Sequence, residues 1–139
     1  MTTSPKDIIR ELVDAQWNRR DLDHVRSVYA PDASIFVPGY DTGGIDDVID
    51  DAEHYFNAFT DVQMHVEDLI AEDDKVVLRW RTVGRHVGDY YGTPATDRVI
   101  TMEGMDIFRL ADGAIVEAWS LWDAASVDKQ LAGDDADGS

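Results

Sequence analysis

The chain has 139 residues, 44% hydrophobic and 29% charged, which fits one globular domain with a sizeable buried core and leaves no room for a second. It carries 29 acidic against 12 basic side chains, a formal net charge of -17, so its field repels phosphate backbones and anionic lipid; neither nucleic acid nor a membrane is an expected partner. Cysteine is absent, which excludes disulfides, Cys-ligated zinc and a thiolate nucleophile.

The first residues, MTTSPKD, show no basic stretch followed by an apolar core, so the expected location is the cytoplasm. Ser4-Pro5 reads as an N-cap and first turn, and Ile8, Ile9, Leu12, Val13 and Trp17 follow at helical spacing, predicting a first helix to about Arg20. Asp21 caps a second short helix whose stripe of Leu22, Val25, Val28 and Tyr29 stops at Pro31. Ser34 to Val37 reads as a short strand, Gly39 to Gly44 as a loop carrying Tyr40, and Asp46 to Phe59 as a third helix. From Thr60 onward the period falls to two. Strands are predicted over 62–71 and 76–86, the second placing Leu78, Trp80 and His86 on one face and Arg79, Arg81 and Arg85 on the other. A Gly/Pro loop then leads to a strand from Arg98 that bends at Gly104. Asp112-Gly113 is the preferred dipeptide of a two-residue hairpin loop. Pairing Ala111 with Ala114 puts Asp106 opposite Trp119 and Phe108 opposite Glu117, aligning Glu117, Trp119, Leu121 and Asp123 on one face. A short helix follows over 124–131. One domain over 1–132 is expected, with a small acidic tail, 133–139, that frays.

Helices followed by an antiparallel meander make the fold class α+β, with N-terminal helices on a curved antiparallel sheet and a ligand held between them. Proton abstraction beside a carbonyl needs a base lifted towards neutrality and a donor for the oxyanion. Asp123 and Asp106 are the candidate bases, with capping of the last helix as the alternative role of Asp123, and His86 is the candidate partner, with a purely structural histidine as its alternative. Trp17, Tyr29, Phe36, Tyr40, Tyr55, Phe59, Trp80 and Trp119 supply flat apolar surface for a ligand. His24, His54 and His65 have no metal-ligand spacing, and no nucleophile elbow, phosphate loop or dinucleotide fingerprint occurs, so neither metal nor cofactor is expected.

Several segments together resemble one family: Trp17-Asn18-Arg19-Arg20-Asp21, Tyr29-Ala30-Pro31-Asp32-Ala33, His86-Val87-Gly88, Gly92 to Thr96, Gly104 to Arg109, Asp112-Gly113, and Glu117-Ala118-Trp119 with Asp123. They resemble the SnoaL-like polyketide cyclases, a branch of the nuclear-transport-factor-2-like superfamily. That resemblance implies a helix-covered cone and a cofactor-free aldol closure or isomerisation of a hydrophobic carbonyl compound, with a pocket Asp, matched here by Asp123, taking the C–H proton. Where the family usually shows Thr-Gly-Arg, this chain has Thr96-Asp97-Arg98. The same cone also serves non-catalytic small-molecule binding, the alternative function.

Two further expectations concern the surface. Met105, Ile107, Val116, Ala118 and Trp122 fall on the outer face of the hairpin beside the strand arginines, predicting a homodimer through the sheet. The Asp-rich, Lys-poor composition resembles that of halophilic proteins, whose self-repulsion is screened by salt. The melting temperature is therefore expected to climb between dilute buffer and molar KCl; a flat curve in a thermal scan would mean that the acids are paired locally.

Overall fold

The computed structural model describes residues 3–133; the acidic tail beyond Gly133 lies outside them. Ser4 caps the first helix, α1 (Pro5–Val13), its hydroxyl accepting from the Asp7 N–H at 3.2 Å. The helix then widens into a π-helical turn, Asp14–Asn18, braced by Arg19 pairing with Glu11 and Asp14. That turn carries Trp17 over Tyr55 and Phe56, at ring separations of 5.2 and 5.6 Å. Asp21 caps α2 (Leu22–Val28) by accepting from the His24 N–H. The chain then turns straight into β1 (Tyr29–Phe36), which is longer than expected, includes Pro31 and sits at the sheet edge, where a missing N–H is tolerated.

After α3 (Ile45–Ala58) come β2 (Phe59–Glu72), β3 (Lys75–His86), β4 (Val99–Ala111) and β5 (Ala114–Trp122), then α4 (Ala124–Ala132). The sheet order is β1-β5-β4-β3-β2, antiparallel throughout except that β1 runs parallel to β5. The sheet is therefore mixed rather than purely antiparallel, because the chain crosses over it between β1 and β5. Alternation along β3 sends Val76, Leu78, Trp80, Thr82 and His86 to the inner face, which α1 covers together with β2. Beyond Gly104 strand β5 has ended, and Gln130 of α4 takes its place. Its side-chain amide accepts from the Thr101 N–H and donates to the Thr101 carbonyl, both at 2.8 Å, blunting an otherwise open edge.

The hairpin loop is as expected, with φ of 52° at Asp112 and 79° at Gly113, and Ala111 faces Ala114. One residue later the register departs from expectation. Leu110 pairs with Ile115 but Arg109 pairs with Glu117, so Val116 is an extra residue in a β-bulge. Since the side-chain period is two, that single insertion turns every later residue of β5 to the opposite face. Asp106 consequently faces Ser120 instead of Trp119, and Phe108 faces Ala118 instead of Glu117. Ala118 is buried inside, whereas Trp119 and Leu121 join Ile107 and Met105 outside.

Candidate active site

On the inner face β4 and β5 bring Asp106 and Ser120 side by side, and Trp80 of β3 lies diagonally across from Asp106. Trp80 is 7% exposed. Burial pushes the Asp106 carboxyl up to about 6, an effect opposed by the neighbouring Ser120 hydroxyl and Trp80 indole. Asp106 Oδ1 and Trp80 Nε1 are nevertheless both buried without a hydrogen-bond partner, as is Thr82 Oγ1 further along β3. Tyr29, at the start of β1, is buried near enough for the Asp106 charge to add to the desolvation that raises its phenol. Ser120 also forms part of the lining of a cavity of about 250 Å³ at the end of β1, walled by Phe36, Pro38, Tyr40, Trp119 and Leu121. Phe36, Trp119 and Leu121 stand on the outer face, so this cavity is walled mainly from the side of the sheet opposite Asp106, which is not among its lining residues.

The other expected site residues are distributed differently. Asp123 is exposed and is the N-cap of α4, accepting from the Ser126 N–H at 3.0 Å, so of the two roles open to it the structure places it in the capping one. It borders a polar groove with Glu103 and Gln130, and the expectation that it points into the interior with His86 fails because β5 ends one residue before it. His86 is inside and wholly buried, as its alternation requires. It lies six residues beyond Trp80, roughly 20 Å along the strand, so it does not join Asp106. Its Nδ1 accepts from the Thr96 N–H at 3.1 Å and contacts Thr96 Oγ1 at 2.9 Å, which fixes the neutral ring as the Nε2–H tautomer and ties down the loop after β3.

The eight aromatic residues fall into three groups. Trp17, Tyr55 and Phe59 form a chain of touching rings under the helices, Tyr55 and Phe59 stacked at 4.7 Å. Tyr29 and Trp80 stand beside Asp106. Phe36 and Trp119 stack at 5.5 Å where β1 meets β5, with Tyr40, 74% exposed, on the pocket rim. Ser120 was missed by the sequence reading; the bulge that turns it inward leaves no trace in composition.

A curved mixed sheet with helices packed on its inner face defines an α+β cone of the nuclear-transport-factor-2-like fold. The profile of the SnoaL-like polyketide cyclase family matches residues 7–131, and the chain belongs to that family. Among solved structures it is similar to AclR of Streptomyces galilaeus, a candidate hydroxylase, with 27% identity, a TM-score of 0.85 and coverage of 93% of this chain and 81% of that one. It is also similar to IdmH of Streptomyces antibioticus, a candidate polyketide cyclase (29% identity, TM-score 0.83, 94% and 99% covered). TsrD of Streptomyces laurentii resembles it at 26% identity and a TM-score of 0.81, with 94% and 97% covered. A comparison with curated protein sequences gave no match. Among the described residues no helix is long and apolar enough to cross a membrane.

Proposed function

We propose that this protein takes a proton from the carbon next to a carbonyl of a hydrophobic small molecule, in a cofactor-free cyclisation or isomerisation, with Asp106 rather than Asp123 as general base. The observation that carries this reading is the buried Asp106 carboxyl, pushed up to about 6 with one oxygen free of hydrogen bonds, on the inner face of the sheet beside Ser120 and Trp80. A base poised near neutrality combines ionisation with useful basicity, and a desolvated oxygen without partners is free to accept a proton. Membership of the family supports the reaction class.

The test is turnover of a 1,3-dicarbonyl or ketosteroid probe. Asp106→Asn is expected to lower kcat roughly a hundred- to ten-thousand-fold. Asp123→Asn, which keeps a good N-cap, should leave it essentially unchanged. For the wild type, kcat/KM should rise with pH and level off above about 6, as Asp106 ionises. Tight binding of the probes with no turnover would instead make this a binding domain, a reading favoured by the distance of both His86 and Asp123 from Asp106.

A homodimer through the outer sheet face is part of the proposal, on a patch that the bulge redraws. Met105 (54% exposed) and Leu121 (58%) stand next to Ile107 and Trp119, while Val116 is the bulge residue and Ala118 and Trp122 pack towards the core. The patch is flanked by Arg79–Asp68 and Arg109–Glu117 pairs, an apolar centre with a polar rim. Light scattering is expected to give twice 15.5 kDa for the wild type and 15.5 kDa for Leu121→Asp. A wild-type monomer at micromolar concentration would refute the pairing.

A further inference from the structure

A buried indole N–H normally finds an acceptor, and that of Trp80 makes no well-aligned hydrogen bond, only a loose approach to the Asp106 carboxyl, although the ring is almost wholly enclosed. The complementary orphan is its diagonal neighbour on the same face, Asp106 Oδ1. A donor and an acceptor this close would satisfy each other if their geometry allowed it. Both atoms are enclosed, so what would complete them is a group brought into this interior that presents an acceptor to one and a proton to the other. Because a tryptophan N–H donates only and does not titrate, it can hold negative charge without competing for the proton that a neighbouring carboxylate must take.

The indole is held in this position by Gly104, the strand partner of Trp80. A Cβ added at Gly104 would fall 2.8 Å from Trp80 Cε2, the atom that bears the Nε1, and within 3 Å of Cζ2 and of the Leu121 carbonyl oxygen. The Cε2–Cζ2 edge of the ring therefore lies against the glycine, and the absence of a side chain there leaves room for the ring that carries the N–H. Gly104 is a positioning residue for Trp80.

Building on the proposed role of Asp106, we infer that Trp80 is a second catalytic residue, whose Nε1–H donates a hydrogen bond to the carbonyl oxygen of the substrate as it becomes an enolate. In that step the Cα–H bond breaks, the proton passes to the Asp106 carboxylate, and the electron pair moves through the new carbon–carbon double bond onto the oxygen held by Trp80. The same proton is returned from Asp106 to the new carbon position on isomerisation, or to the alkoxide on ring closure. No electron is exchanged with any other group.

The probes are 2-naphthol, a flat mimic of an enol, and naphthalene, which has the same shape without the oxygen. The wild type is expected to bind 2-naphthol more tightly, and Trp80→Phe to lose roughly tenfold for 2-naphthol alone, the loss of one good hydrogen bond. Tyr29→Phe keeps the ring and removes the other buried donor near Asp106, so a loss for 2-naphthol there in place of Trp80→Phe would move the assignment to Tyr29. In protein carrying 15N-labelled indoles, the Trp80 resonance, one of four tryptophan signals, should shift downfield with 2-naphthol and stay in place with naphthalene. Assigning that signal by replacing Trp17, Trp119 and Trp122 keeps the test available if Trp80→Phe does not fold. No preference for 2-naphthol in the wild type, an unchanged affinity in Trp80→Phe, or a loss in Tyr29→Phe instead would overturn the assignment of Trp80. Failure of the Asp106 reading is separate: it would appear as full turnover in Asp106→Asn, whatever the naphthol affinities.

Discussion

At pH 8 the Asp106→Asn protein is expected to be more stable than the wild type, and at pH 4 most of the advantage should be lost. The Asp106 carboxyl is pushed from its ordinary 3.8 to about 6 because burial disfavours the charged form more than Ser120 and Trp80 compensate it. For a group whose pKa is higher in the folded state, the favourable contribution is complete below the unfolded value and is lost as pH rises through the folded value. Well below 3.8 the acid is neutral in both states, at pH 4 only a small part of the penalty has developed, and above about 6 the folded protein holds a buried charge. Each unit of displacement corresponds to about 1.4 kcal/mol, so the ionised side chain costs the fold ~3 kcal/mol at high pH. Asparagine has nearly the same shape and no charge, so it removes that cost while burying an amide beside Ser120. Urea unfolding at pH 4, 6 and 8 measures the difference. An advantage as large at pH 4 as at pH 8 would show that packing, not charge, is responsible. Gained stability with lost turnover would mark a site whose destabilisation is retained for its chemistry.

Local signals carried the reading of the fold a long way, and non-local ones limited the reading of the site. Ser4 and Asp21 announce their helices through side chains that cap within three residues, and Asp112-Gly113 announces its hairpin through positive φ at both positions. The strand character of Tyr29 to Ala33 was hidden because Tyr29 continues the helical stripe of Leu22, Val25 and Val28, and because the partner of β1 is more than 80 residues away in β5. The decisive miss was smaller. A bulge at Val116 needs neither glycine nor proline, so nothing in VEAWSLWD distinguishes a regular strand from one that reverses its faces. Counting past it by twos put Trp119 and Asp123 inside; counting with it brings in Ser120. Asp106 lies on the partner strand and so keeps its expected inner face, whereas Asp123 is an exposed residue that caps α4.

Gly104 was legible as a special position but not for the reason the structure supplies. Its neighbours are the Trp80 ring on one side and the Leu121 carbonyl on the other, so Gly104→Ala should be the most damaging small substitution in the sheet. The indole could yield by rotating, but the carbonyl belongs to the β5 backbone, whose movement would pull apart the pairing between Met105 and Leu121. Overpacking of this kind costs typically 1–3 kcal/mol, and a clash with backbone places the expectation at the upper end, about 3 kcal/mol. Gly39 gives the contrast: an added Cβ there meets nothing within 4 Å, so Gly39→Ala should lose only the smaller cost of its positive φ. Combining Gly104→Ala with Trp80→Ala separates the two neighbours of Gly104. If the ring is the main obstacle, the double variant will be more stable than the sum of the single losses requires; if the carbonyl is, the losses will add. Urea midpoints of the four proteins decide between them, and a Gly104→Ala midpoint equal to the wild type would remove the argument that this glycine seats Trp80.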